Sequence, residues 1–257
     1  MTVTIHAAGH PSARVGIEPV SILRPFTWLW RGAGDLVHCG AASVAHGLLM
    51  VLLGWMLLLM LGNHPYFVVA AISGFLLFAP VMTTGHVELS RRRAGRDAVG
   101  FNESLSPLVN NRGPLLRFGA VLAALTLAWF AASEAMLRTV FAVQAPSIAE
   151  TYYIGFLDNA HREAIVAYVA AGGLLALVVL AISVVTVPLI VDRHLRAGEA
   201  IRASLAAIAA NPLPMLLWAA LIVCITALGF ATLLAGMVLL IPWLGHATWH
   251  AYRDLVR

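Results

Sequence analysis

Long apolar runs separated by short polar connections constrain this sequence more than any other feature. Of its 257 residues, 61% are hydrophobic and 11% charged, which is more apolar surface than a soluble core can bury without leaving large exposed patches. A helix that crosses the hydrocarbon layer needs roughly 20 apolar residues. Six segments are predicted to be such spans: 41–62, 66–87, 116–140, 165–191, 213–234 and 236–252. The sequence therefore predicts an all-α membrane protein, with a flexible cytoplasmic tail over residues 1–23 and a six-span domain over residues 24–257.

The distribution of positive charge predicts how these spans are oriented. All sixteen basic residues are Arg, and with six alternating crossings only Arg138 and Arg162 lie on the side opposite to the others. Loops that carry Lys and Arg stay in the cytoplasm during insertion. We therefore expect both termini in the cytoplasm and place the protein in a bacterial inner membrane. The formal charge of +4 then suits anionic lipid headgroups as partners, and nucleic acid is not expected.

An internal repeat predicts how the spans are grouped. Ser104, Asn111 and Pro114 recur one hundred positions later as Ser204, Asn211 and Pro214. Amphipathic segments precede the first, third and fifth spans, and in the first of them Phe26, Leu29, Trp30, Ala33 and Val37 follow helical spacing on one face. We expect three units, each an interfacial amphipathic helix followed by a transmembrane hairpin. Packing of these helices on the bundle is an equally good interpretation.

Each even-numbered span contains one proline: Pro80, Pro188 or Pro242. Proline removes a backbone donor and frees the carbonyl four residues earlier, so a kink is expected at each position. Three related kinks could line a cavity or hinge a gate, but they also suit simple packing of a bundle built from repeats.

Polar side chains follow these prolines at the predicted cytoplasmic helix ends. The residues that could ligate a metal, or haem through His alone, are His86, Asp192, His194, His246 and His250. His246 and His250 are four residues apart, so both rings can face one way. The alternative is that a His near a helix C-terminus complements the helix dipole and contacts interfacial water.

The sequence contains no motif that predicts catalysis. No ionisable residue lies near the centre of a predicted span, where pumps and ion-coupled carriers usually need one. It also has neither a phosphate-binding glycine loop nor a nucleophile elbow. We therefore expect a protein that is not an enzyme.

The C-terminal third carries a family resemblance. The residues concerned are 182–193, Ala210-Asn211-Pro212, 214–219 and 242–253; looser features extend the resemblance back to about Arg24. The sequence resembles the bacterial integral membrane family catalogued as domain of unknown function 2189. This implies a multi-span inner-membrane protein of unknown role, and some relatives are labelled putative cytochrome c oxidase subunit I. A catalytic oxidase subunit buries several His ligands in a larger bundle, so the label would here imply an accessory or assembly role.

Three functions follow as expectations. The first is a non-enzymatic accessory, scaffold or assembly protein that contacts lipid or another membrane protein, including a respiratory complex. The second is a passive permease or carrier for a small uncharged solute. The third is a protein that handles a metal ion or haem through the residues that follow the prolines.

Overall fold

The computed structural model describes residues 2–4, 14–61, 74, 77, 79–141 and 162–257. Helices make up almost all of this, in agreement with the predicted all-α fold, and two short strands form an antiparallel pair in which Val3 lies opposite Val15. The strands are Thr2–Thr4 and Arg14–Gly16. The helices are Arg24–Leu61, Thr84–Gly95, Phe101–Ser104, Ser106–Asn110, Arg112–Phe141, Arg162–Ser183, Thr186–Arg193, Ala197–Ala210, Pro212–Ala231 and Met237–Leu255.

Within this part of the chain, four helical segments are long and apolar enough to cross a membrane. They are Arg24–Met60, Arg112–Met136, Ile165–Arg193 and Pro212–Ala231. Half of the second predicted span, 66–87, falls outside the described residues. The sixth coincides with the C-terminal helix, Met237–Leu255, whose second half carries several polar residues and which is not among these four.

The described chain divides into two compact units. One consists of Met1–Val51, Pro80–Gly119 and Leu180–Arg257, and the other of Leu52–Ala79 and Ala120–Val179. In the second unit, the Trp129 and Tyr168 rings lie 5.1 Å apart, and Gly172 faces the Trp129 ring closely enough that a Cβ would lie 3.2 Å from it. Small residues therefore let helices approach each other there, as membrane helices generally do.

The N-terminal helix, Arg24–Leu61, is bent where the predicted amphipathic segment meets the first span. Gly40 has φ 34° and ψ −106°, outside the helical region. A positive φ costs glycine little because it has no Cβ. The break separates residues 24–39 from the apolar helix that follows.

Two asparagines occupy corresponding breaks in the later segments. Asn111 precedes the helix Arg112–Phe141 and donates to the Ile190 carbonyl over 2.7 Å. Asn211 lies between the helices Ala197–Ala210 and Pro212–Ala231, and it donates to the Ala207 carbonyl over 3.2 Å. Both are buried. The arrangement of helix, Asn and long apolar helix thus occurs at both predicted copies, while the threefold repeat itself stays a prediction.

The prolines differ in their effect on the backbone. The helix before Pro188 ends at Ser183, and a new helix starts at Thr186. Pro242 lies inside a continuous helix, and the Val238 carbonyl that it frees faces Gly47, where a Cβ would lie only 2.0 Å from the oxygen. The carbonyl freed by Pro80 belongs to Leu76, which is outside the described residues.

The two ends of the chain are paired. Arg257 donates its backbone N–H to the Gly16 carbonyl over 2.9 Å, and Glu18 donates to Leu255 over 3.0 Å. Val15 and Ile17 are 0% and 3% exposed. This part of the segment predicted to be a flexible tail is therefore held against the C-terminal helix.

Candidate functional site

Three histidine rings form a row inside the first unit. His46 comes from the N-terminal helix, His86 from the Arg-rich helix Thr84–Gly95, and His246 from the C-terminal helix. The ring centroids of His46 and His86 lie 5.1 Å apart, and those of His86 and His246 lie 5.5 Å apart. We call these residues the histidine cluster.

Two glycines allow the rings to approach so closely. A Cβ on Gly85 would lie 2.7 Å from the His46 ring, and one on Gly245 would lie 2.7 Å from the His86 Cβ. Any larger residue would push the helices apart, because a Cβ contact under about 3 Å requires a neighbour to move. The glycines therefore position the cluster.

The hydrogen bonds of His246 determine its tautomer. Ser90 Oγ donates to Asp35 Oδ2 over 2.5 Å. A hydroxyl has one proton, so Ser90 must accept from His246 Nδ1, which lies 2.7 Å away. In a neutral imidazole the other nitrogen is then an acceptor, and Ser43 Oγ, at 2.8 Å, donates to His246 Nε2. His246 is thus fixed at both ring nitrogens.

Asp35 is the anion at the end of this chain of hydrogen bonds. It is 4% exposed. His250 Nε2 donates to Asp35 Oδ2 over 3.0 Å, and Arg93 forms an ion pair with Oδ1. A buried carboxylate needs such partners because desolvation of an unpaired charge is costly. The polar network therefore comprises Asp35, Ser43, Ser90, Arg93, His246 and His250.

His86 lies beside this network without joining it. It is 0% exposed, and neither ring nitrogen makes a hydrogen bond to any residue that the structure describes. The Ser43 backbone is the polar group close to the His86 ring, but it does not meet the geometry of a hydrogen bond. An unsatisfied buried polar group costs about 1–3 kcal/mol. Native proteins usually retain one for a reason, such as a bound water, an ion or a functional role.

The predicted site residues have different surroundings. His86, His246 and His250 belong to the histidine cluster or the polar network. Asp192 instead accepts from the Tyr252 hydroxyl over 2.5 Å, and His194 Nδ1 accepts from Asn111 over 2.8 Å. The sequence did not predict that Asp35 and His46 would join the site.

A shared metal ion does not fit this arrangement well. Over the described ranges, no three His, Cys, Asp or Glu residues are placed to hold one ion. The cause is visible in the bonding: both nitrogens of His246 are occupied, and His46 Nε2 is bonded to Ser104 over 2.7 Å. Of the cluster, His86 offers nitrogens without a described partner.

A second charged group lies on the Arg-rich helix. Glu88 accepts from Arg91 Nε over 2.7 Å and from Arg92 Nε over 2.6 Å. Burial opposes ionisation of Glu88, but the hydrogen bonds and charges of the two guanidinium groups outweigh it, so its pKa lies below the ordinary range. Glu88 therefore offsets part of the dense positive charge of this helix.

Asp254 joins the two terminal helices in a similar way. It accepts from Arg24 Nε over 2.6 Å and from Trp28 Nε1 over 2.8 Å. Burial again opposes ionisation, but these partners lower the pKa of Asp254. The buried edge of Trp28 is thereby satisfied, and the C-terminus is tied to the start of the N-terminal helix.

Comparison with known proteins gives one match. Residues 68–192 match the family model DUF2189, described as a predicted integral membrane protein. No curated protein and no solved structure matches significantly. The matched range contains Pro80, His86, Pro188 and Asp192, whereas His194, His246 and His250 lie beyond it. The resemblance found in the sequence is confirmed, since residues 68–192 are similar to the family of predicted integral membrane proteins DUF2189.

Proposed function

We propose that this chain is a non-enzymatic accessory, scaffold or assembly protein of a bacterial inner membrane, built from six spans with both termini in the cytoplasm. The observation that carries the proposal is the polar network. It joins the N-terminal helix through Asp35, the Arg-rich helix through Ser90 and Arg93, and the C-terminal helix through His246 and His250.

Such a network favours a structural role. Its described members bond chiefly to one another, and Ser43 and His246 are both 0% exposed, so a dissolved substrate has no direct contact with them. Fully connected buried polar networks make one arrangement of helices more stable than its alternatives. A rigid platform of this kind suits a protein that holds a neighbour in the membrane.

Pairing of the chain ends supports an even number of crossings. Gly16 and Arg257 exchange two backbone hydrogen bonds, so they lie on the same side of any membrane that the chain crosses. Four described segments qualify as spans, and the second and sixth predicted spans bring the number to six. The excess of Arg at the paired ends favours the cytoplasm as that side.

Purification from membranes in mild detergent, followed by identification of whatever accompanies the protein, tests the accessory role. We expect one membrane protein in near-stoichiometric amount, and a respiratory subunit would satisfy the narrower expectation from the family label. Asp35→Asn should weaken this association, whereas Asp97→Asn, at an exposed position, should not. Repeated recovery of the wild-type chain alone would overturn the proposal.

Metal or haem handling is a second candidate, and His86 is the observation that favours it. A buried imidazole without a described hydrogen bond suits a ligand that the protein acquires in the cell. Metal analysis and the haem Soret band of protein purified from supplemented cells would test it. His86→Gln should abolish any signal and His194→Gln should not, while wild-type protein that stays empty rejects the candidate.

A further inference from the structure

The amphipathic segment at the start of the N-terminal helix is inverted relative to that of a water-soluble protein. Trp30 and Val37 on its apolar face are 81% and 82% exposed, whereas Asp35 is 4% exposed. Leu29 and Trp28 are the apolar residues that turn inward. The carboxylate of Asp35 thus lies inside, and the large apolar side chains of Trp30 and Val37 lie outside, beside exposed Arg31 and His38.

The corresponding segments before the later spans show the same inversion. In residues 101–110, Val109 is 74% exposed and Ser104 is 0% exposed. In the helix Ala197–Ala210, Leu205 is 45% exposed, while its neighbour Ser204 is 0% exposed and donates to the Ala181 carbonyl over 2.7 Å. We call these three stretches, 24–39, 101–110 and 197–210, the pre-span segments.

The surroundings of the segments follow from this pattern. In water, a surface helix buries its apolar stripe and exposes its polar face. In hydrocarbon the preference is reversed, because polar groups must then be satisfied inside the protein. Ser204 and Asp35 have such internal partners. The outward faces therefore suit an apolar medium.

We propose that the outward faces of the pre-span segments are embedded in the acyl-chain region of the lipid leaflet at which the first, third and fifth spans begin. This inference rests on the proposed placement of the chain in a membrane and names lipid as its partner at these faces. It goes beyond interfacial contact, because it places Val37, Val109 and Leu205 below the headgroups.

Two observations favour lipid over a partner protein. Each segment is followed in the chain by a long apolar helix with exposed apolar side chains, as the 71% exposure of Leu116 and the 61% exposure of Leu213 illustrate. Exposed Arg31, Arg112 and Arg202 accompany the three segments, and guanidinium groups at this level complement anionic phosphates. Continuity and charge thus point to the same occupant.

Spin labels would locate these faces in the full-length chain. We would place single cysteines at Val37, Val109 and Leu205 in a Cys39→Ala, Cys224→Ala background, in vesicles of phosphatidylethanolamine and phosphatidylglycerol. Leu127, which is 69% exposed in the helix Arg112–Phe141, serves as the lipid control. Arg96, exposed after the Arg-rich helix, serves as the water control.

The measured quantity is the ratio of the label's collision rate with oxygen to its collision rate with a water-soluble nickel chelate. We expect this ratio to be several-fold higher at the three sites than at Arg96, and similar to that at Leu127. A water-like ratio would overturn the proposal, and so would poor access to both reagents, which means a second copy or another protein covers the face. Water-like behaviour at Leu127 would instead reject the membrane placement itself. The part of the tryptophan quenching by brominated lipid that is lost in Trp30→Phe provides an independent measurement.

Discussion

Replacement of Asp35 by Asn tests the central member of the polar network. The substitution preserves shape but removes the charge that Arg93 and His250 contact. Removing one partner of a buried ion pair costs about 3–5 kcal/mol. The Arg93 side chain is 35% exposed, so water can solvate part of the guanidinium that is left behind. We therefore expect Asp35→Asn to lower the free energy of unfolding by about 2–3 kcal/mol.

Thermal unfolding of the purified protein in mild detergent, followed by tryptophan fluorescence, measures this loss. For a chain of this size, 1 kcal/mol corresponds to a shift in Tm of about 2–4 °C, so a decrease of roughly 5–10 °C is expected. Asp97→Asn is the matched control. Asp97 is exposed, and its substitution should change the free energy by less than about 0.5 kcal/mol. Equal shifts in the two variants would refute the reasoning.

A double-mutant cycle separates the network from a general effect of charge. Ser90→Ala removes the group that bridges Asp35 and His246. Residues within one hydrogen-bond network couple by about 0.5–3 kcal/mol. Combining Ser90→Ala with Asp35→Asn should therefore cost less than the sum of the two single changes. Strict additivity would mean that Ser90 does not connect the carboxylate to the imidazole.

Three further outcomes follow from the same contacts. Gly47→Ala should lower Tm, because its Cβ would lie 2.0 Å from the Val238 carbonyl and overpacking costs about 1–3 kcal/mol. A Cβ at Gly173 would have nothing within 4 Å, so Gly173→Ala should raise stability by up to about 1 kcal/mol through helix propensity. Asn211→Ala should lower the free energy of unfolding by about 1–3 kcal/mol. It should also expose residues 14–20 to protease, since Asn211 bonds to Val20 and Glu18. Replacement of the exposed Asn110 by Ala is the control. The pKa of Glu88 is lowered, so its stabilising contribution is complete above the unfolded pKa of about 4.3 and is lost as pH falls through the folded value. Thermal unfolding between neutral and acidic pH should therefore show a smaller loss of stability on acidification in Glu88→Gln than in the wild type.

The sequence predicted features that depend on local composition. Apolar runs identified the four described spans, because a helix in hydrocarbon needs its length in apolar residues. The recurrence of Asn111 as Asn211 predicted a repeat, and the structure has a helix break at both positions, since a side-chain amide can bond to backbone where one helix stops and another begins. His86 and His246 were both predicted because each follows a proline at a helix end.

The composition of the site was harder to predict, because it depends on helix packing. Asp35 lies off the apolar face predicted for this segment, where an amphipathic helix in water exposes its charges. Its burial becomes understandable only once Arg93 and His250, 58 and 215 residues away in sequence, are placed around it. His46 likewise joins the site through its ring contact with His86, on a different helix. No sequence spacing encodes such contacts.

Glycine, imidazole and proline are parts of one packing arrangement here. Gly32 faces the C-terminal helix so closely that a Cβ would lie 2.7 Å from the Ala247 backbone nitrogen, and Gly47 packs on the carbonyl freed by Pro242. Ala247 and Pro242 lie on either side of His246 in the C-terminal helix. The two close contacts therefore fix the distance between the N-terminal and C-terminal helices at His246. The hydrogen bond from Ser43 to His246 depends on that distance, since such bonds weaken steeply outside a narrow range of length and angle. Gly32 and Gly47 therefore also determine whether the buried polar groups can be satisfied.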